Sequence, residues 1–274
     1  MATRSHTCMK RWNLLGLVLV AAAVWQLPTP AGAADFHLTS GERQAVLLEL
    51  FTSEGCSSCP PAEAWLGKLE SHPDLWRNFV PVAFHVDYWD RLGWPDKLAS
   101  KEFTARQHRY ATAWGSRSVY TPGFVSNGLE WRGWYQGGRL PEPTGPAVGV
   151  LAAHSTNGMA WTVTFQPASS SVRAGEAHIA LLGFDVSSAV RAGENRGRTL
   201  QHSFAALALV SAPLRAQDGR LTAHLTLPAA TPVTAPRRAL AVWVTEADGR
   251  TVRQATGGWL TRDKEAAKET GRRP

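Results

Sequence analysis

Cys56-Ser57-Ser58-Cys59 is the part of this chain whose residue types and spacing lend themselves most directly to chemistry. Two thiols three positions apart can open and close a disulfide, one sulfur being attacked while the other leaves. The same pair could hold a soft cation or stay permanently oxidised. Zinc normally takes four ligands, and the remaining cysteine, Cys8, lies far upstream and offers no second pair. Cuprous ion suits two thiolates better, with His85 as the obvious third ligand and Asp87 on the same strand face. The commoner role for such a histidine is a hydrogen-bonded one under the Tyr88-Trp89 turn. A disulfide this tight closes too short a loop to stabilise a large domain through its unfolded state. The spacing therefore points to redox chemistry.

Several elements must position the pair. Gln44 to Phe51 is a nearly continuous apolar run, the pattern of a strand buried on both faces. Thr52 to Gly55 has turn chemistry, and Ala62, Trp65, Leu66 and Leu69 recur at helical spacing after Pro60-Pro61. The pair thus sits where a buried strand passes into a helix, a place that favours a thiolate. Proline fits only the first helical turn, so either Cys56 caps the helix or the regular helix begins at Pro60 with Cys59 as cap. Downstream, Phe79 to Val86 is a second buried strand, with His85 near its C-terminal end, and Lys97 to Trp114 is a helical stretch. Val119-Tyr120-Thr121-Pro122 then precedes a strand, and Asn127-Gly128 makes a hairpin turn into Leu129 to Trp134.

In the second half, Ala147 to His154 reads as a closing helix. Beyond it, Trp161, Val163 and Phe165 alternate with threonines, as do Leu221, Ala223, Leu225 and Leu227 with polar residues. Ala177 to Phe184, Ser203 to Val210 and Ala239 to Thr245 are further apolar runs, so this half reads as a β-sandwich. Gly193 to Arg198 offers Arg196 and Arg198 beside Glu194 as an anion site, but reads better as a long strand connection. The seven tryptophans from Trp65 to Trp134 are ordinary packing material. No nucleophile-elbow spacing occurs.

The order strand, Cys-x-x-Cys, helix, strand, helix, then Thr-Pro before a hairpin resembles the thioredoxin fold. More narrowly, E-L-F-T-S-E-G-C-S-S-C-P-P (49–61), A-F-H-V-D-Y-W-D-R-L-G-W (83–94), R-S-V-Y-T-P (117–122) and G-E-N-R-G-R-T-L (193–200) are similar to the secreted thioredoxin-like proteins grouped as domain of unknown function 1223. Gly123 departs from that pattern, which commonly has Gln after Thr-Pro. The resemblance implies an α/β, thioredoxin-like domain over 34–155; the strand pattern adds a smaller β-rich, sandwich-like domain over 156–262, and the alternating charges a tail over 263–274. The resemblance also implies a cis Thr121–Pro122 bond whose backbone lies against the disulfide and receives substrate. The expected function is an exported thiol–disulfide oxidoreductase needing no cofactor or metal. Cys56 would be the exposed attacking thiol, Cys59 the resolving one, and Thr121 and Pro122 the substrate-binding residues for a protein or small thiol. The rival is a non-catalytic envelope binding protein whose cysteines hold cuprous ion or a fixed disulfide.

Composition agrees with a folded, exported chain. Its 274 residues are 44% hydrophobic and 19% charged, which excludes a disordered tail, and no repeat suggests a solenoid. Arg4, Lys10 and Arg11 precede the uncharged apolar stretch Leu14 to Trp25, and Ala31-Gly32-Ala33 is a small-x-small cleavage site. That is the pattern of a secretory leader over 1–33. Its removal lowers the formal charge of +7 by three, to a dispersed surplus that does not call for nucleic acid, and leaves no membrane segment. The expected location is secreted or periplasmic. Cleavage after Ala33 predicts Ala34 at the N-terminus of protein recovered from the envelope; mass spectrometry showing Met1 or Ala2 instead would refute it.

Overall fold

Two uninterrupted apolar runs fix the centre of the structure. Val46–Thr52 and Phe79–His85 are buried along their whole length, as strands covered on both faces must be. They pair in parallel, Val46 opposite Phe79 and Thr52 opposite His85. The computed structural model describes residues 1–2, 35–135, 138, 140, 142–143, 145–169 and 175–260. Residues 3–33 of the leader, with its cleavage site, and the tail over 263–274 lie outside the described residues.

In chain order the strands and helices are β1 (Phe36–Thr39), β2 (Val46–Thr52), α1 (Cys59–Gly67), β3 (Phe79–His85), α2 (Lys101–Ala113), β4 (Gly123–Ser126) and β5 (Leu129–Glu130). They continue as β6 (Gly149–Ser155), β7 (Ala160–Pro167), β8 (Gly175–Phe184), β9 (Val186–Ala189), β10 (Thr199–His202) and β11 (Ala205–Pro213). The last four are β12 (Arg215–Gln217), β13 (Arg220–Thr226), β14 (Arg237–Glu246) and β15 (Val252–Trp259). Asn127 and Gly128 both have positive φ, 46° and 88°, and close the β4–β5 hairpin as their sequence predicts. The Thr121–Pro122 bond is cis.

The expected α/β architecture, a thioredoxin-like domain followed by a smaller sandwich, is overturned. The chain is mostly β-sheet, and β3, β2, β4 and β5 continue an eight-stranded sheet in the order β15-β14-β8-β11-β3-β2-β4-β5. The seam is a short parallel pairing of β11 with β3, Ala205 opposite Ala83, where the Ala83 N–H donates to the Phe204 carbonyl at 2.8 Å. The reason lies in the strands of the second half, which are apolar on both faces. Ala180, Leu182 and Phe184 of β8 join a core with β2, β3, α1 and α2, while Ala177, Ile179 and Leu181 face the opposite way. Leu240, Val242 and Val244 of β14 share that second core with β6, β7 and β13 of a five-stranded sheet, order β1-β6-β7-β13-β12. Strands of this kind need cover on both sides, so the two halves share one sheet. Nor do residues 147–154 close a first domain as a helix. They enter β6, whose burial alternates with period two and which pairs with β7 across the expected boundary at 155/156.

One buried ion pair fastens α2 to β2. Arg106 Nε donates to Glu49 Oε1 and Tyr110 Oη to Glu49 Oε2, both at 2.5 Å, and Arg106 also donates to Tyr110 Oη at 2.9 Å. Removing one partner of a buried pair strands the other charge. Arg106→Met is therefore expected to lower unfolding stability by about 3–5 kcal/mol in urea titration. A loss below about 1 kcal/mol, the scale of an exposed pair, would contradict this account.

Candidate redox site

The regular helix α1 begins at Cys59, with Ser58 in the cap position and Pro60 and Pro61 in the first turn, where proline's missing N–H costs nothing. Cys56 therefore stands outside the helix, on the turn leaving β2. The Cys56 N–H donates to the Ser53 carbonyl and the Cys59 N–H to the Cys56 carbonyl, each at 3.2 Å. The two sulfurs are joined as a disulfide. Contrary to the expectation of an exposed first cysteine, Cys56 is as fully buried as Cys59, while Ser57 and Ser58 between them are exposed.

The 193–198 loop is hydrogen-bonded to the cysteine turn. Ser57 donates to Glu194 Oε2 through its backbone N–H at 2.9 Å and its hydroxyl at 2.7 Å. These two bonds hold the Glu194 carboxyl below its ordinary pKa. Asn195, fully buried, donates through Nδ2 to the carbonyls of Glu54 at 2.9 Å and Cys56 at 2.8 Å, and its Oδ1 accepts from Arg198 at 2.7 Å. The loop thus clasps the cysteine turn rather than merely connecting strands. The sequence offered one signal, Gly193 and Gly197, which take positive φ of 74° and 83° and frame a tight loop. The identity of the loop's partner was not legible.

On the other side stand Thr121 and Pro122. The Thr121 carbonyl lies 3.8 Å from Cys56 Sγ, and Trp89 Nε1 donates to the Thr121 hydroxyl at 2.8 Å. Gln107 of α2 donates to the Tyr120 carbonyl at 2.7 Å. Trp89 packs so closely on the cysteine turn that a Cβ on Gly55 would stand 2.9 Å from the Trp89 Cβ, which explains the glycine. Pro122 borders a cleft of about 310 Å³ with Tyr120, Trp131 and Trp134.

His85 is fully buried and turned to Asp96, its Nδ1 lying 2.7 Å from Asp96 Oδ2, an oxygen that also accepts the Glu54 N–H at 2.9 Å. Asp87 instead accepts from the Thr104 hydroxyl at 2.6 Å and does not join it. Among the described residues, neither group with metal-ligand spacing includes a cysteine, so His85 is not brought to the pair as a third ligand. It meets His202, ring centroids 4.9 Å apart. His202 Nδ1 lies 2.6 Å from Glu63 Oε2 and its Nε2 3.2 Å from Glu54 Oε1. Burial opposes charge on His202, but Glu63 and Glu54 outweigh it and push its pKa up to about 10. Burial likewise works against the Glu63 carboxylate, yet His202 holds it below its ordinary value. Glu54, Glu63, Asp96 and His202 were not singled out from sequence, where Glu63 and His202 stand 139 residues apart.

The clasp is expected to set how easily reagents reach the disulfide. Glu194→Ala removes both bonds to Ser57, and the rate at which a dithiol reductant opens Cys56–Cys59 is expected to rise severalfold. Asn195→Ala strands two buried carbonyls, so it should accelerate reduction further and lower stability by about 1–3 kcal/mol. Thiol-quench mass spectrometry reads the rate; equal rates in all three proteins would show that the loop does not control access.

No curated protein matches the sequence. In structure the chain is similar to protein AGR_C_4864 of Agrobacterium tumefaciens, with a TM-score of 0.56 and 25% identity over 79% of this chain and 95% of that one. It is also similar to HBP35 of Porphyromonas gingivalis, with a TM-score of 0.52 and 13% identity over 81% of this chain and 77% of that one, a likeness of fold alone. The family described as a protein of unknown function, DUF1223, matches residues 47–245. That span is most of the sequence, and the chain belongs to the DUF1223 family.

Proposed function

We propose that this chain is an exported thiol–disulfide oxidoreductase, working in a secreted or periplasmic setting on a protein or small-thiol partner. The observation that carries the reading is the Cys56–Cys59 disulfide, placed between the end of a buried strand and the first residue of a helix. With a separation of three it adds little as a staple. In the oxidising direction a partner thiolate attacks Cys56 Sγ. The new sulfur–sulfur bond forms as the Cys56–Cys59 bond breaks, and Cys59 leaves as thiolate at the positive end of the α1 dipole. A second thiolate of the partner attacks the partner sulfur of the mixed disulfide, and Cys56 leaves with its electron pair. The partner dithiol has then become a disulfide and the protein's pair is reduced; run backwards, the same steps reduce a partner. Cys56 is covered, so attack follows opening of the Ser57–Glu194 clasp. Thr121 and Pro122, beside Cys56, are the surface for the partner backbone.

Two measurements test this. Equilibration in a glutathione redox buffer should give the pair a midpoint potential above about −300 mV, in the range of exchanging rather than structural disulfides. Cys59→Ser should trap a small thiol or a reduced peptide on Cys56 as a mixed disulfide that reductant releases, and Cys56→Ser should trap none. A midpoint below about −300 mV, or a folded Cys59→Ser protein that traps nothing, means the disulfide is structural.

A further inference from the structure

We propose that Glu63, His85 and His202 form a binding site for one divalent transition-metal cation of the zinc class. Each of the three offers a ligand atom within 4.8 Å of the other two. Their side chains are more than nine-tenths buried, at 8%, 0% and 1% exposure. Two imidazoles and one carboxylate are a donor set that zinc and cobalt take readily, and one that calcium or magnesium does not.

His85 supplies the second observation. Its Nδ1 is engaged by Asp96, and its Nε2 is buried without any hydrogen-bond partner. A buried ring nitrogen left unpaired costs free energy, and its lone pair is what a metal ion uses. His202 is arranged differently. Its Nδ1 faces Glu63, while its Nε2 lies 3.2 Å from Glu54 Oε1 but out of line for a hydrogen bond. Asp96 thus holds the His85 ring through Nδ1 and leaves its Nε2 free. Outer-shell carboxylates hold metal-ligating histidines in this way. The exposed trio Asp35, His37 and His154 is different: Asp35 already engages both rings, at 3.1 Å and 2.7 Å, and the rings stack on each other. The buried site contains no cysteine and stands independently of the redox reading.

The test uses the full chain produced with added Zn²⁺, or with Co²⁺ as a spectroscopic probe. Elemental analysis after gel filtration should give about one metal per chain, a single site of this donor set. The Co²⁺ form should show visible d–d absorption. His85→Gln and His202→Gln should each abolish binding, and Asp96→Asn should weaken it by about 10–100-fold. His154→Gln and the double variant Cys56→Ser/Cys59→Ser should keep the metal; the latter separates failure of this site from failure of the redox proposal. Should a histidine variant not fold, as judged by circular dichroism, the native chain decides: refolded from urea with Zn²⁺ it should melt higher than when refolded with a chelator. Less than a tenth of an equivalent of metal, loss of metal in His154→Gln, full retention in a folded His202→Gln, or identical melting with and without Zn²⁺ would each overturn the site.

Discussion

The parallel contact between β11 and β3 is the constraint on which the candidate site depends. β3 ends at His85, and β10 ends at His202 just before β11 begins, so setting Ala205 opposite Ala83 brings two histidines from distant parts of the chain into ring contact. The same seam delivers the 193–198 loop to the cysteine turn, because that loop leads directly into β10. Without the pairing, β3 would expose an open edge and Cys56 would lose its cover. The contact is short, yet it stands in the middle of a sheet whose strands are apolar on both faces. Burial of those faces against two separate cores holds the seam closed.

Local features were legible in the sequence, and long-range ones were not. The strand–turn–helix around Cys56 and Cys59, the Asn127-Gly128 hairpin and the apolar strands of the second half all follow from patterns only a few residues long. The start of α1 at Cys59 needed the structure, because two prolines allow either registration of the cap. Residues 147–154 misled because alanines in a short run favour helix unless a neighbouring strand captures them, and β7 does so. The shared sheet was hidden for a different reason. An apolar run shows that a strand is buried on both faces but not which strand lies beside it. Apolar alternation therefore revealed the sandwich strands, yet not that β8 and β11 belong with β3.

The candidate site shows the same division. Cys56 and Cys59 are joined as a disulfide, and the Thr121 carbonyl lies 3.8 Å from Cys56 Sγ. The grip on the cysteine turn was invisible because Glu194 and Asn195 arrive from more than a hundred residues away through side-chain hydrogen bonds. Such bonds leave no periodic trace. Glu54, Glu63 and His202 were hidden likewise: each looks like an ordinary polar residue on a turn, a helix and a strand end, and only the seam places them together.

The polar cluster and the cysteine turn share contacts at Glu54. Asp96 accepts the Glu54 N–H and engages His85 through the same oxygen, and Trp94 donates to the Glu54 carboxylate at 2.6 Å. The turn that presents Cys56 is therefore gripped from below by buried side chains of β3 and the segment after it. Asn195 grips the same turn from above through the Glu54 and Cys56 carbonyls. A backbone held at both faces loses little further freedom when the disulfide closes, so closing it adds little to stability. Placing charged groups at that depth is costly unless each has partners, and here the partners are the contacts that fix the turn.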